Sequence, residues 1–230
     1  MKSIFIVPSC INFLPDQPLD YSDVRSHFSS DERFAQTLTT IGSIRKFSPT
    51  SDIMLVEISE LSAEHEKILK EKCEYTIFPS TCSVPLFDHF KNHANKSHAV
   101  VFLLLQAIYT LKSLQYPVYD IFFQLSGRYK LNSGFNSENY LNNLFTAKRH
   151  TGFDSNTALY TTMFSFSREF MDEVFTNMLW SLSVTTNYLP PYAGFSFETN
   201  VLPHSFDKIS FIDTLGVEGY LGPCGEFQTS

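Results

Sequence analysis

Ser126-Gly127-Arg128 follows directly on an apolar run that includes Ile121, Phe122, Phe123 and Leu125. The run reads as a buried β-strand and the break as its tip. In open α/β sheets, ligands sit beyond the carboxyl ends of the strands. At such a tip Arg128 offers planar, bidentate hydrogen bonds to an anion, and Gly127 lets the backbone come close. Lys130 shares a strand face with Arg128 if the chain stays extended. Lys96, at the start of a long apolar helix, adds a cation beside the positive end of that helix. Together these residue types suit an anion. The same arginine also fits a structural salt bridge at a strand end.

The elements that must carry these residues are legible in the first half. Residues 3–7 read as a buried strand stopped by Pro8, followed by a polar, proline-rich loop. From Asp31 the apolar positions Phe34, Leu38 and Ile41 recur at helical spacing, with Ser30 or Asp31 as cap and Ser48-Pro49 as stop. Residues 52–59 form a second strand and residues 59–73 a second helix with a charged outer face, starting at Ser59. Residues 75–78 form a third strand. The segment 95–115 is a long helix capped near Asn95 or Ser97, and 119–125 is the fourth strand. This β-α alternation predicts an α/β fold with a mostly parallel sheet and helices on both faces. The second half is less regular: a strand over 158–167, a helix over 168–183, a short helix over 196–206 and a strand over 208–215. No linker or composition break divides the chain, so the expectation is one domain over 1–230, with 1–135 binding and 136–230 elaborating.

Several chemistries are excluded by motif. The first turn, after residues 3–7, lacks a GxGxxG dinucleotide fingerprint, and the chain lacks a GxxxxGK[ST] phosphate loop, a GxSxG elbow and an HExxH zinc helix. His89 and His93 stand four apart with Asp88 beside them. No third ligand accompanies them, and they read as surface histidines in a loop. Cys10, Cys73, Cys82 and Cys224 show no CxxC spacing and read as reduced thiols.

The order of elements and the stretch "ERFAQTLTTIGSIRKFSPTSDIMLVEIS" resemble the opening of GT-A-type glycosyltransferases, the nucleotide-diphospho-sugar transferases. The likeness covers about residues 1–135. It implies a nucleotide sugar as donor and a glycan as acceptor. The end of the second strand, with Glu57 and Ser59, would face the nucleoside together with Ser9 and Asn12 of the first loop. In that family the fourth strand ends in Asp-x-Asp, which holds a divalent cation on the pyrophosphate. Here Ser126, Gly127 and Arg128 stand in that place. Two carboxylates suit a hard cation and these three residues do not, so Arg128, Lys96 and Lys130 would hold the diphosphate directly, with no metal cofactor.

Transfer to an acceptor hydroxyl also calls for a general base. Glu198 in "GFSFETN" is the first candidate, beside aromatic residues suited to a sugar ring. Glu218, between two glycines in "LGVEGYLG", is the second, and Asp154 the third. Two other readings keep the same sheet. One is a methyl- or nucleotidyltransferase, for which Glu57 fits but the glycines of the first turn are missing. The other is a degenerate transferase fold that binds carbohydrate or serves assembly without catalysis.

Bulk composition bounds these readings. The 230 residues carry a net charge of −7 and a pI near 5.4, which argues against a general nucleic-acid surface but not against a local basic pocket. Phenylalanine is abundant at 23 residues, part of it expected to line grooves or cover helix–sheet contacts. The apolar run Ile4–Val7 is too short for a signal segment and no stretch reaches membrane-span length, so the default expectation is a cytoplasmic protein. Oligomeric state is left open.

Overall fold

The computed structural model describes residues 1–13, 19, 22–79, 86–113, 119–150, 158–187, 206–221 and 224–230. In chain order the first half runs β1 (Ser3–Ser9), α1 (Ser30–Phe47), β2 (Asp52–Glu57), α2 (Ala63–Lys72), β3 (Tyr75–Ile77), α3 (Leu86–Asn92), α4 (Lys96–Ser113) and β4 (Ile121–Leu125). The second half adds β5 (Tyr129–Leu131), β6 (Phe145–Ala147), β7 (Met163–Ser167), α5 (Met171–Asn187), β8 (Ile209–Phe211), β9 (Val217–Tyr220) and β10 (Phe227–Thr229).

β1 is buried from Ile4 to Ser9 because it pairs on both edges, parallel to β2 and to β4. Strands covered on both faces read as continuous apolar runs, which is why β1, β2 and β4 were legible. The main sheet has the order β3-β2-β1-β4-β7-β6-β8. β3, β2, β1 and β4 are parallel, β7 is antiparallel to both its neighbours, and β6 and β8 are parallel. This is a single α/β domain whose mostly parallel sheet draws strands from both halves of the chain. A smaller antiparallel sheet, β10-β9-β5, lies beside it.

One face of the main sheet packs on Ile41 and Ile44 of α1 and Leu69 of α2. The other packs on α3, α4 and α5. Much of the phenylalanine excess forms cross-strand ladders inside these layers. Phe5 stacks on its register partner Phe123 at 4.6 Å, and Phe122 on Phe166 at 5.2 Å. Such pairs add to simple area burial.

Local chemistry moves several element ends from their expected places. α1 begins after Ser29, whose hydroxyl accepts from the Glu32 N–H while the Glu32 carboxylate accepts from the Ser29 N–H. That reciprocal capping box outcompetes Ser30 and Asp31. α2 starts at Ala63 with Ser62 as cap, because the Ser59 hydroxyl is engaged by Glu57. His89 lies in the short helix α3 and not in a loop, with His93 just past its end. The four short strands β5, β6, β9 and β10 have no counterpart in the sequence reading. The expected helix over 196–206 lies almost wholly outside the described residues. Among the described residues, no helix is long and apolar enough to cross a membrane.

Candidate functional site

The carboxyl ends of β1 and β4 are held close by a short chain of contacts. The Gly127 N–H donates to the Pro8 carbonyl at 3.1 Å. A Cβ on Gly127 would stand 3.3 Å from that carbonyl and 3.4 Å from the Ser9 side chain, so the residue's lack of a side chain permits the approach. The Tyr129 N–H donates to the Ser126 carbonyl at 2.9 Å, closing a tight turn that leads into β5.

α1 fixes this turn from below with hydroxyls. Thr37 Oγ1 lies 3.4 Å from the Gly127 carbonyl, Thr40 Oγ1 donates to the Tyr129 carbonyl at 2.7 Å, and Ser43 Oγ accepts from the Leu131 N–H at 2.9 Å. The three are buried and three residues apart, one stripe of the helix. Beside its expected apolar stripe, α1 therefore buries a polar seam that satisfies the backbone of the tip.

The first loop is tied down by Glu57 at the end of β2. Its Oε1 accepts from the Ile11 N–H at 3.1 Å, the Ser59 N–H at 2.8 Å and the Ser59 hydroxyl at 2.5 Å. Ser59 Oγ in turn accepts from the Asn12 N–H at 2.9 Å, and the Asn12 side chain donates to the Glu60 carbonyl. Glu57 and Ser59 are fully buried. Burial raises the Glu57 pKa above the usual carboxylate range, against the hydrogen bonds of Ser59, Ser9 and Ile11, which lower it.

Between these tips and α4 lies a cavity of about 90 Å³, room for several waters and so for a phosphate group. Arg25, Arg33, Lys96 and Arg128 all line it, with Ser9, Cys10 and Ser126. Arg33 is buried, and its Nε and Nη1, like Nη1 of Arg128, have no hydrogen-bond partner. Phe13 lies 5.9 Å from the Arg33 guanidinium. Arg25 donates to the carbonyls of Lys91 and His93 at 2.6 and 2.8 Å, and Lys96 Nζ donates to the Arg25 carbonyl. The Lys96 ammonium is pulled down to about 7, first by burial and then by Arg128, Arg33 and Arg25. Burial, then Arg128, likewise lowers Arg33. Burial, then Glu57, raises the Cys10 thiol and keeps it protonated. Several cations crowd a small hollow in which N–H groups of Arg33 and Arg128 lack acceptors, which is the arrangement that an incoming anion relieves.

Of the residues singled out from the sequence, Ser9, Lys96, Ser126 and Arg128 meet at this cavity, and Gly127 borders its adjoining recess. Glu57, Ser59 and Asn12 stand behind it and hold the loop. Lys130 points to a separate groove, where it is ion-paired to Glu218 at 2.9 Å. That pairing, first through the hydrogen bond from Lys130, lowers the Glu218 pKa. Glu198 and Asp154 lie outside the described residues. Arg25 and Arg33 were missed. One signal for Arg33 was available: a cation in the first turn of α1, where acids are usual.

No protein-family model matches the sequence, and no curated protein does. Solved structures do. The chain superposes on the apo form of the glycosyltransferase GlyE from Streptococcus pneumoniae TIGR4 with a TM-score of 0.52, at 12% identity over 92% of this chain and 45% of that one. A second GlyE structure gives 0.51 at 9% identity, with the same coverage of 92% and 45%. The fold is GT-A-like. A glycosyltransferase involved in the glycosylation of the major capsid of PBCV-1 follows at 0.49 and 12% identity, over 93% of this chain and 83% of that one. At these identities the likeness is one of fold, and this chain spans less than half of GlyE.

A GT-A-like sheet raises the matter of a divalent cation at the tip of β4. The donor set there does not fit one. Ser126, Gly127 and Arg128 bring no carboxylate, and Arg33 and Lys96 place positive charge in the same hollow. Among the described residues, no three of His, Cys, Asp and Glu converge as a metal site.

Proposed function

We propose that the protein is a nucleotide-sugar-dependent glycosyltransferase that holds the donor's diphosphate with arginine and lysine side chains and without a divalent metal. The observation that carries this reading is the cavity at the β1 and β4 tips, where buried N–H groups of Arg33 and Arg128 lack acceptors. The GT-A-like fold supports the donor class. In the transfer, the bond from the sugar C1 to the diphosphate oxygen breaks and a bond from C1 to the acceptor oxygen forms. The acceptor proton passes to a base, and the nucleoside diphosphate leaves. Charge builds on the leaving diphosphate, so fixed cations there stabilise the transition state more than the ground state. The cavity has phosphate size, so the nucleoside and the sugar extend beyond it. Glu198 is the proposed base, because its neighbours in sequence include aromatic residues suited to a sugar ring. Glu218, held ionised by Lys130, suits hydrogen bonding to a hydroxyl better than proton abstraction.

A thermal-shift series of nucleoside diphosphates and nucleotide sugars, run in EDTA and in Mn²⁺, tests this. A ligand at a hundred times its Kd adds about 2.7 kcal/mol of stability. Stabilisation in EDTA by one nucleoside diphosphate, lost in Arg128→Ala and Arg33→Ala, is the expected outcome. Stabilisation only with Mn²⁺ overturns the metal-free clamp. No stabilisation by any nucleotide favours a non-catalytic carbohydrate-binding or assembly module.

A further inference from the structure

A second hollow lies on the other side of Arg128. It is a groove of about 370 Å³ between the outer face of α1 and the small sheet. Gly219 makes it possible: a Cβ there would come within 2.5 Å of the Arg128 carbonyl, so only a glycine lets β9 lie against the start of β5. Its wall toward the small sheet is aromatic. Tyr220 and Phe227 are 40% and 53% exposed, and their rings meet edge to face at 5.1 Å, with Phe28 at 5.6 Å from Tyr220. Exposed rings clustered this way form an apolar wall.

The remaining walls are polar and close to electroneutral. Lys130 and Glu218 neutralise each other at 2.9 Å, and Glu32 offsets Arg128. Gln36 Oε1 is buried in this wall with no hydrogen-bond partner. A free anion finds little net field here, unlike in the arginine cavity. A purely apolar ligand would strand the Gln36 carbonyl and the ion pair without water. A ligand with an apolar C–H face and a rim of hydroxyls satisfies both walls: the face lies on Tyr220 and Phe227, and the hydroxyls bond Glu218, Lys130 and Gln36.

We infer that this groove is a saccharide-binding site, with Tyr220 and Phe227 as the platform and Glu218, Lys130 and Gln36 as the hydrogen-bonding rim. Its use as the acceptor subsite rests on the proposed function, with Arg128 as the wall shared with the diphosphate. The binding of a saccharide does not rest on it.

Saturation-transfer NMR with the methyl glycosides of glucose, galactose, mannose and N-acetylglucosamine tests the assignment. At least one should receive saturation from the wild-type protein, and titration of that glycoside should show affinity at least roughly tenfold weaker in Tyr220→Ala and Phe227→Ala, a loss of about 1.4 kcal/mol. Both positions are exposed, and an unchanged thermal midpoint shows that the variants are folded. Sulfate binding, measured on the same samples, should survive in both. Absence of saturation transfer to every glycoside, or equal affinity in both aromatic variants, overturns the saccharide site. Loss of sulfate binding in Arg33→Ala with glycoside binding intact separates the two hollows. Glycoside binding in a protein that binds no nucleotide retains the groove and removes only its acceptor role.

Discussion

The two hollows that share Arg128 use the same residue types to opposite effect. In the groove, Lys130 stands opposite Glu218 across an antiparallel register and the pair is satisfied. In the cavity, Arg33 and Arg128 carry buried N–H groups with no acceptor, and Lys96 is held near 7 first by burial and then by its positive neighbours. A cation alone does not mark an anion site. A cation whose burial is not compensated does, because the folded chain then bears a cost that only a ligand removes.

The largest effect is expected at the loop that floors the cavity. Glu57→Ala would leave the Ile11 N–H, the Ser59 N–H and the Ser59 hydroxyl without their shared acceptor, at a cost of about 3 kcal/mol or more. Glu57→Gln keeps a carbonyl oxygen in that place and should lie within about 1 kcal/mol of wild type. The two also differ in pH dependence. The raised Glu57 pKa means that the folded state holds a proton the unfolded state has released. That contribution to stability is full below the unfolded carboxylate pKa and is lost as pH rises through the folded one. Glu57→Gln removes the slope. Urea denaturation across the acidic range measures both. Sulfate binding should weaken in Glu57→Ala, while glycoside binding in the groove should not.

Next comes the titration of Lys96. Sulfate keeps its charge across neutral pH and is the clean probe. Its affinity should fall as pH rises through about 7, where Lys96 loses its proton, and binding below this point should be pH-independent. Near and above about 7, binding should take up a proton, seen as a buffer-dependent enthalpy in calorimetry. Lys96→Arg should abolish the step. For the ligand-free protein the sign is opposite. Between about 7 and the unfolded value of 10.5 the unfolded chain holds a proton that the folded chain lacks, so Lys96 makes stability rise with pH over that window. A pH-independent sulfate affinity would sink the crowded-cation account and leave the cavity as an ordinary polar recess.

How much of this was legible follows from the physics of each part. The first half alternates strands with helices, and β1, β2 and β4 are buried along nearly their whole length, so the sequence pattern reports them directly. Arg128 and Lys96 stood out because they sit at the end of such a strand and at the start of such a helix. Arg25 lies in a proline-rich loop where periodicity says nothing, and only tertiary contacts with the Lys91 and His93 carbonyls place it. Arg33 was masked by the apolar stripe assumed for α1. The buried seam of Thr37, Thr40 and Ser43 looks like an ordinary outward face until β5 lies against it. In the second half the strand holding β7, the helix α5 and the strand holding β8 were legible, whereas β5, β6, β9 and β10 have three or four residues each, too few for a period to show. Lys130 and Glu218 are far apart in the chain, and only the pairing of β5 with β9 makes them one ion pair.

That ion pair carries the smallest effect and the sharpest contrast. Side-chain exposure is 43% for Lys130 and 25% for Glu218, so solvent screens most of the attraction. A double-mutant cycle with Lys130→Met and Glu218→Gln should give a coupling of about 0.2–1 kcal/mol in thermal or urea unfolding. The same cycle on Arg33→Met and Arg128→Met should give coupling of the opposite sign. There the first truncation relieves repulsion and the second has less left to relieve, so each variant alone should stabilise the ligand-free protein. Sulfate should reverse that ranking, because the variants lose the anion that compensates the wild-type pair. If the arginines instead couple favourably without ligand, the cavity is already neutralised by groups of its own, and the distinction between the two hollows disappears.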